Sequence, residues 1–248
     1  MNIPPKYELT KNVSSLLSQF EANRAVIDAL SIPVAIEENF RRASFLGSSL
    51  FSARIEGNTL TESDVSDFRD LTSKEKERVE VANLSRALKY ILERYDGTKE
   101  VTAKEILTWH KIAMENILAS EYLGTFRKGH EGIFDSSGNL IYHAPPPAQV
   151  ESLILKLTDY ANNTKKEVTP IKAILAHLTF EKIHPFVDGS GRVGRLLQYA
   201  ILANNGYAMK GMVVVEKEID DKRQLYYHAI ENSDATEFLE LMLELLVV

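Results

Sequence analysis

The chain has 248 residues, a net charge of −6 and no cysteine. Its 44% hydrophobic and 26% charged residues are typical of a soluble globular protein. The acidic balance argues against broad nucleic-acid binding, because neutralising phosphates requires a basic surface. The lack of cysteine excludes disulfides, thiolate nucleophiles and cysteine-based zinc sites.

The sequence also argues against a membrane protein. No apolar run approaches the roughly 20 residues needed to span a bilayer. The opening stretch "MNIPPKYELTKN" lacks the apolar region of a secretory signal. We therefore expect a cytoplasmic protein with neither a membrane nor a nucleic acid as its partner.

Glycine and proline are sparse, and long stretches repeat apolar residues every 3.6 positions, so we predict an all-α fold of about eight or more helices. The first predicted helix covers about 33–58, where Gly57 and Asn58 form a stop signal. The other predicted segments are a short one beginning at Thr61 and longer ones at 73–97, 102–118, 148–161, 170–183, 191–204, 222–231 and 236–246.

The pattern changes between about 126 and 145. The short apolar stretches "GIF" and "LIY" flank a cluster of turn residues at 135–139, which predicts a β-hairpin. Three consecutive prolines, 145–147, end it. We find no repeat and no flexible linker, so a single domain over 1–248 is the simplest interpretation.

The most informative stretch is "HPFVDGSGRVGR", which begins at His184. Pro185 disfavours the helical conformation for His184, so one helix must end there and the next begins shortly after. The start of a helix presents free backbone N–H groups. Gly189 and Gly191 allow these groups to surround a ligand, and Ser190 can cap the helix or donate a hydrogen bond.

Charged groups complete this stretch. Arg192 and Arg195 share one helix face, and two guanidinium groups beside a helix N-terminus form a polyphosphate site. Asp188 fits such a site if Mg²⁺ bridges it to the phosphates. His184 could then accept a proton from an attacking hydroxyl. These residues predict nucleotidyl or phosphoryl transfer; the alternative is a tight turn with a solvated arginine pair.

This stretch resembles the signature of Fic-domain proteins, His-x-Phe-x-Asp/Glu-Gly-Asn-Gly-Arg-x-x-Arg. The resemblance extends from about residue 45 to the C-terminus and includes "GTFR" and "YHAPPP". It implies a Fic fold and transfer of AMP from ATP to a Tyr, Thr or Ser hydroxyl, with release of pyrophosphate. The acceptor would be a target protein or the chain itself, with Mg²⁺ as cofactor.

The resemblance also implies roles for single residues. His184 would be the catalytic base, Asp188 the Mg²⁺ ligand, and Arg192 and Arg195 ligands of the ATP phosphates. An aromatic and a polar side chain would lie near adenine, although a core stripe is an equal alternative for them. The implied nucleotide-binding set is Gly189, Ser190, Gly191, Arg192, Arg195, Tyr227 and Asn232.

The hairpin at about 126–145 would be the flap that aligns the target chain by β-strand addition. Lys128, His130 and Ile133 are the residues we expect to dock the target there. Glu131 departs from the family pattern, because it stands about where relatives often have an apolar residue. The choice of target is therefore expected to be unusual.

Ser190 is a second departure, because the family usually has Asn at this position. That Asn donates to the α-phosphate, whereas a serine hydroxyl is shorter and less fixed in direction. Losing one well-placed donor costs on the order of 10²–10³ in rate. Either activity is reduced, or the Gly-Ser-Gly backbone compensates.

The stretch "SARIEGN", from Ser52 to Asn58, resembles the inhibitory motif Ser/Thr-x-x-x-Glu-Gly/Asn. The resemblance implies that Glu56 forms a salt bridge with Arg195 and takes the group needed for the γ-phosphate. The alternative is an ordinary helix stop. In some relatives the same glutamate supports the reverse reaction, removal of AMP.

Other functions therefore remain open at this stage. They are AMP removal, transfer of another nucleotide, and a non-enzymatic nucleotide-binding or interaction module weakened at Ser190. The resemblance also raises a homodimer as one alternative for the oligomeric state.

Overall fold

The structure is a computed structural model that describes residues 1–65, 76–95, 97–134, 140–163, 167–212 and 214–247. In these ranges the chain forms ten α-helices and one two-stranded hairpin, which confirms the predicted all-α fold with a hairpin. The helices are α1 (Lys11–Ala29), α2 (Val34–Ile55), α3 (Lys76–Leu92), α4 (Ala103–Met114), α5 (Pro147–Asn162), α6 (Thr169–Ile183), α7 (Ser190–Asn204), α8 (Val215–Asp221), α9 (Arg223–Glu231) and α10 (Thr236–Val247). Across the described ranges, none of these helices has the length and apolarity to cross a membrane.

Helices α1 and α8 were not predicted from the sequence. Helix α1 begins after Thr10, whose side chain accepts a hydrogen bond from the Val13 amide at 3.1 Å. Only Val13 and Phe20 of α1 are fully buried, so its apolar period is too weak to recognise. Helix α8 is short and carries Glu216 among its buried residues, which also obscures the pattern.

Helix α6 lies at the centre of the fold. Every residue from Pro170 to Ile183 is buried, and a helix that is buried all round belongs in the core. Phe180 and Ile183 contribute to an apolar cluster formed with α3, α4, α5 and α7. Ile174 contributes to a second cluster formed with α1, α9 and α10. The C-terminal end of α6 therefore has little freedom to move.

A short loop reverses the chain between α6 and α7. His184 caps α6 in the left-handed conformation, with φ 46° and ψ 63°, and Gly189 precedes α7 with φ 87°. This agrees with the prediction that Pro185 keeps His184 out of the right-handed helical region. A non-glycine residue in the left-handed region is strained, so the surrounding contacts must hold His184 there.

The predicted hairpin is confirmed. Strands β1 (Gly132–Phe134) and β2 (Leu140–His143) pair antiparallel, with Gly132 opposite His143. The register is irregular between Ile133 and Phe134. The predicted turn at 135–139 and part of the segment that begins at Thr61 lie outside the described residues.

Gly194 of α7 lies against side chains of α6, and we predict that Gly194→Ala destabilises the fold. A Cβ atom there would lie 2.5 Å from Glu181 Oε1 and 3.3 Å from the Phe180 ring. Overpacking of this kind costs about 1–3 kcal/mol, which outweighs the helix propensity gained by replacing glycine. Urea unfolding should show a net loss on the order of 1 kcal/mol. Gly129→Ala is the control, because nothing lies within 4 Å of its added Cβ; equal stability of both variants would contradict the prediction.

Candidate active site

The loop after α6 places His184 directly before the first turn of α7. Its side chain is partly exposed, and its Nδ1 atom is buried without a hydrogen-bond partner among the described residues. Helix α7 begins at Ser190, so its free backbone N–H groups point out of the same loop. A basic nitrogen and a helix N-terminus are thus brought together as the sequence predicted.

Arg195 binds the end of α2. Its Nη2 donates to Glu56 Oε1 at 2.8 Å and to the Ser52 carbonyl at 2.9 Å, while Nε donates to Ser52 Oγ at 2.9 Å. Ser52 and Glu56, the two defining residues of the "SARIEGN" stretch, therefore both contact Arg195. Gly191 makes this approach feasible, because a Cβ atom there would collide with the Glu56 carboxylate.

The electrostatics of this contact favour the ionised pair. Burial opposes the charge on Glu56, but the positive charges of Arg195 and Arg192 outweigh it and lower the pKa of the Glu56 carboxyl. The Arg195 side chain is 3% exposed, whereas that of Glu56 is 25% exposed. The arginine is thus a buried cation, and the glutamate reaches it from the solvent side.

Arg192 has a different set of partners. It forms ion pairs with Glu80 of α3 and with Asp188 of the loop. The second carboxylate oxygen of Glu80 accepts from the Asn58 amide at 2.9 Å. Glu80 was not recognised from the sequence, because it lies more than a hundred positions before Arg192. Its helix, α3, has an ordinary amphipathic pattern.

Some buried polar atoms in the described part of the chain have no partner, and three of them belong to the predicted motif. They are His184 Nδ1, Arg192 Nε and Arg195 Nη1. Leaving a buried donor unpaired costs roughly 1–3 kcal/mol, so native proteins rarely tolerate it without a functional reason. Two unpaired guanidinium donors at a helix N-terminus are suited to an anion such as phosphate.

The position of the Ser190 side chain does not follow from the sequence. Its hydroxyl accepts from the Phe186 amide at 3.1 Å and lies 3.5 Å from the Phe186 carbonyl. The residue is 1% exposed. In this conformation the hydroxyl closes the loop, and it is not free to donate to a phosphate.

Asp188 is the one predicted metal ligand. One carboxylate oxygen pairs with Arg192, and the side chain is 45% exposed. No group of three or more His, Cys, Asp or Glu residues suited to a metal occurs in the described ranges. A lone carboxylate nevertheless fits Mg²⁺, which binds through one or two carboxylates together with phosphate oxygens and water. The site suits a magnesium–nucleotide complex and not a free ion.

The two predicted adenine contacts have separate surroundings. The Tyr227 hydroxyl donates to the Ile55 carbonyl at 3.3 Å, which places it beside the C-terminal end of α2. The side-chain amide of Asn232 donates to Glu237 of α10 instead, and the backbone carbonyl of Asn232 accepts from Lys182. The structure therefore brings Tyr227 to the site, whereas the Asn232 side chain is occupied by α10.

The predicted flap residues lie on the approach to β1. Lys128 and His130 are exposed, and the side chain of Ile133 lies outside the described part. Arg127, directly before them, is 3% exposed and donates from Nε to the His184 carbonyl at 2.7 Å. This arginine ends the "GTFR" stretch, and nothing in the sequence indicated its role.

His110 of α4 is a further residue that the sequence did not reveal. Its Nδ1 accepts from the Gly124 amide at 2.9 Å, so its Nε2 carries the proton and donates to the Asp188 carbonyl at 3.0 Å. The ring stacks on Phe186, with centroids 3.8 Å apart. His110 thereby holds both ends of the loop segment between Phe186 and Asp188.

Comparison with known proteins identifies relatives of this site. The pattern of the family described as Fic/DOC matches residues 100–202. A protein adenylyltransferase Fic of Drosophila willistoni is 27% identical over 226 residues, covering 87% of this chain and 42% of that protein. A probable protein adenylyltransferase of Aquifex aeolicus is 31% identical over 154 residues, covering 55% of this chain and 46% of that protein.

Solved structures agree with the fold. A Fic family protein from Desulfovibrio desulfuricans superposes with a TM-score of 0.81 at 29% identity, covering 98% of this chain and 74% of that one. Fic-1 of C. elegans gives a TM-score of 0.78 at 20% identity, covering 95% of this chain and 69% of that one, and supports the fold alone. The chain spans about two-fifths of the length of the Drosophila relative.

We predict that His110 makes the fold sensitive to acid. Burial lowers its pKa from 6.5 to about 4. Below pH 6.5 the unfolded chain therefore takes up a proton that the folded chain refuses, and stability falls until about pH 4. The shift corresponds to a loss on the order of 3 kcal/mol.

Urea unfolding between pH 4 and 7.5 would test this, with His110→Phe as the comparison. Phenylalanine retains an aromatic ring for Phe186 but cannot titrate, so the variant should lose less stability on acidification. Carboxylates affect both curves alike, and the difference between them reports His110. Parallel curves would refute the assignment.

Proposed function

From the premise that this chain contains a Fic domain of the Fic/DOC family, matched over residues 100–202, we propose that it is a protein adenylyltransferase inhibited by its own Glu56. The observation that carries the proposal is the set of unpaired buried atoms on the motif, His184 Nδ1, Arg192 Nε and Arg195 Nη1. They supply a base and two phosphate donors around one helix N-terminus. Residues of this kind fit nucleotidyl transfer better than a structural turn.

The triphosphate of ATP would lie at the N-terminus of α7. There the free N–H groups and the positive end of the helix dipole stabilise anionic oxygens. Arg192 and Arg195 would add guanidinium donors, which form charge-assisted hydrogen bonds with phosphate. Gly189 and Gly191 leave the backbone open to a close approach. Tyr227, beside Ile55, would contact the adenine.

His184 would act as the general base. A target hydroxyl attacks the α-phosphorus of ATP, a new oxygen–phosphorus bond forms, and pyrophosphate leaves. The proton of the hydroxyl passes to His184, which positions the attacking oxygen as it takes the proton. Asp188 would hold Mg²⁺, which neutralises negative charge on the phosphates when it is bound.

Glu56 would inhibit this reaction by occupying Arg195. The ion pair and the two hydrogen bonds to Ser52 use Nη2 and Nε of Arg195 and leave only Nη1 for a γ-phosphate. ATP would then bind in a pose that cannot react. Helix α2 lies outside the matched residues 100–202, so we propose that the flanking helices belong to the same domain and complete its site.

The partner would be a protein, or this chain itself, that presents a Tyr, Thr or Ser hydroxyl. An extended target segment could add to the hairpin edge, where main-chain hydrogen bonds give affinity and neighbouring side chains give specificity. Lys128 and His130 are exposed there and are available for docking. Glu131, partly exposed beside them, favours a target segment that is not purely apolar.

Self-labelling with α-³²P-ATP and Mg²⁺ tests the proposal. We expect weak label on the unaltered chain and at least tenfold more on Glu56→Gly, because Arg195 becomes free for the γ-phosphate. Label should vanish in Glu56→Gly/His184→Ala, which keeps the phosphate site and removes the base. The reaction can be repeated with a mixture of candidate target proteins. Full labelling without His184 would refute the mechanism, and equal labelling with and without Glu56 would refute the inhibition.

Ser190 provides a separate prediction. Ser190→Asn in the Glu56→Gly background should raise the labelling rate at least tenfold, because an amide can donate to the α-phosphate. The matched control is Ser190→Ala, which removes the hydroxyl that bonds Phe186 and adds no donor. A lower rate in Ser190→Asn would show that closing the loop matters more than the donor. In that case the backbone of the Gly-Ser-Gly stretch suffices for catalysis.

A further inference from the structure

We propose that Arg127 is a positioning residue that fixes the base His184 and the flap hairpin at a set distance from each other. The inference rests on the proposed function, in which the flap presents a hydroxyl and His184 takes its proton. It concerns an arginine whose side chain contacts neither α7 nor the phosphate donors in the described structure. Its role would therefore be distinct from nucleotide binding.

Arg127 first holds the loop that carries the base. Its Nε donates to the His184 carbonyl at 2.7 Å, and its Nη2 lies 3.3 Å from the Ile183 carbonyl. Its backbone N–H donates to the Pro185 carbonyl at 2.9 Å. Three consecutive carbonyls at the end of α6 thus accept from one residue. The contacts surround the one position of the loop that has a left-handed, non-glycine backbone, which needs such support.

The same guanidinium holds both chain ends of the hairpin. Nη1 donates to the Gly129 carbonyl at 2.7 Å, before β1, and Nη2 donates to the Pro145 carbonyl at 2.6 Å, after β2. The ladder continues directly from there, because the Ala144 amide donates to the Glu131 carbonyl at 3.1 Å. The two strands cannot shift relative to α6 without breaking these bonds.

The chemistry of the contact requires arginine. Among the described residues, four backbone carbonyls and no carboxylate accept from the guanidinium, which is 3% exposed. Burial lowers the pKa of Arg127, and the negative end of the α6 dipole favours its charge. A planar guanidinium presents five donors in a fixed fork, whereas a lysine ammonium is a single point with three. Lysine cannot reach both the loop and the hairpin.

A second contact runs in parallel. Lys182, near the end of α6, is buried, and its Nζ lies 5.8 Å from the centre of the Tyr142 ring on β2. The hairpin therefore meets the end of α6 through two cations, Arg127 at its chain ends and Lys182 at Tyr142 of β2. A target strand added to the hairpin edge would then bring its hydroxyl to a defined place beside the imidazole.

The first test is Arg127→Lys in the Glu56→Gly background, with Arg86→Lys as the matched control. Arg86 is exposed, and among the described residues it donates to Glu115 and the Ile112 carbonyl, not to the loop or the hairpin. In Arg127→Lys the labelling rate at saturating ATP should fall about 10–100-fold, because a misplacement of about 1 Å is enough for such a loss. The ATP concentration for half-maximal rate should change less than about threefold, because the phosphate donors are untouched. A rise in that concentration with an unchanged maximal rate would overturn the proposal.

The second test needs no activity and so separates this inference from the proposed function. The His184 amide donates to the Phe180 carbonyl, and the Ala144 amide donates to the Glu131 carbonyl. In Arg127→Lys, hydrogen exchange at these two amides should rise together. Val193 lies in α7, and its amide donates to the Gly189 carbonyl. Its exchange should stay unchanged, which would show that the fold is intact. Faster exchange at Ala144 alone would mean that Arg127 serves the hairpin only, and the proposal would be wrong. If Glu56→Gly labels neither itself nor any candidate target but both amides respond, the coupling stands and the proposed function falls.

Discussion

Two buried cations impose the main constraint on this structure. Arg192 and Arg195, on the first two turns of α7, are 5% and 4% exposed, and a buried charge without a partner costs several kcal/mol. Glu56 from α2 and Glu80 from α3 supply the countercharges. Charge pairing therefore joins α2 and α3 to α7, in addition to their apolar contacts. Under the proposed function the same cations would bind the polyphosphate, so the packing of the fold and its chemistry would depend on the same two residues.

Much of this arrangement was predictable because its signals are local. Proline after His184 ends α6, glycine after Glu56 ends α2, and the turn residues between two short apolar stretches give the hairpin. Each depends on neighbours within a few positions, and each agrees with the structure. The contact of Glu56 with Arg195 was predicted differently. It joins residues far apart in sequence and came from a family resemblance, not from periodicity.

The features that escaped prediction depend on distant or backbone partners. Glu80, His110 and Arg127 lie on three different segments, and each contacts the loop or the arginines of the motif. For His110 and Arg127 the partner in the loop is a carbonyl, which every residue possesses, so no complementary side chain appears in the sequence. Glu80 has a complementary arginine, but nothing local selects it over Glu77, the other acidic residue of α3. The inward turn of the Ser190 hydroxyl likewise follows from three-dimensional packing.

The two acidic partners differ in a way that bears on regulation. Glu56 stands at the end of α2, with a side chain 25% exposed, so it can leave Arg195 by a change in one helix terminus. Glu80 lies within α3, with a side chain 12% exposed, and also accepts from Asn58, so leaving Arg192 would disturb a packed helix. A phosphate that replaces Glu56 exchanges one anion for another and avoids an unpaired buried cation. Displacing Glu56 from Arg195 by a phosphate would therefore cost little free energy. Arg192, in contrast, would bind phosphate through its unpaired Nε while its ion pairs with Glu80 and Asp188 stay intact. This asymmetry supports Glu56, rather than Glu80, as the residue through which the site is controlled.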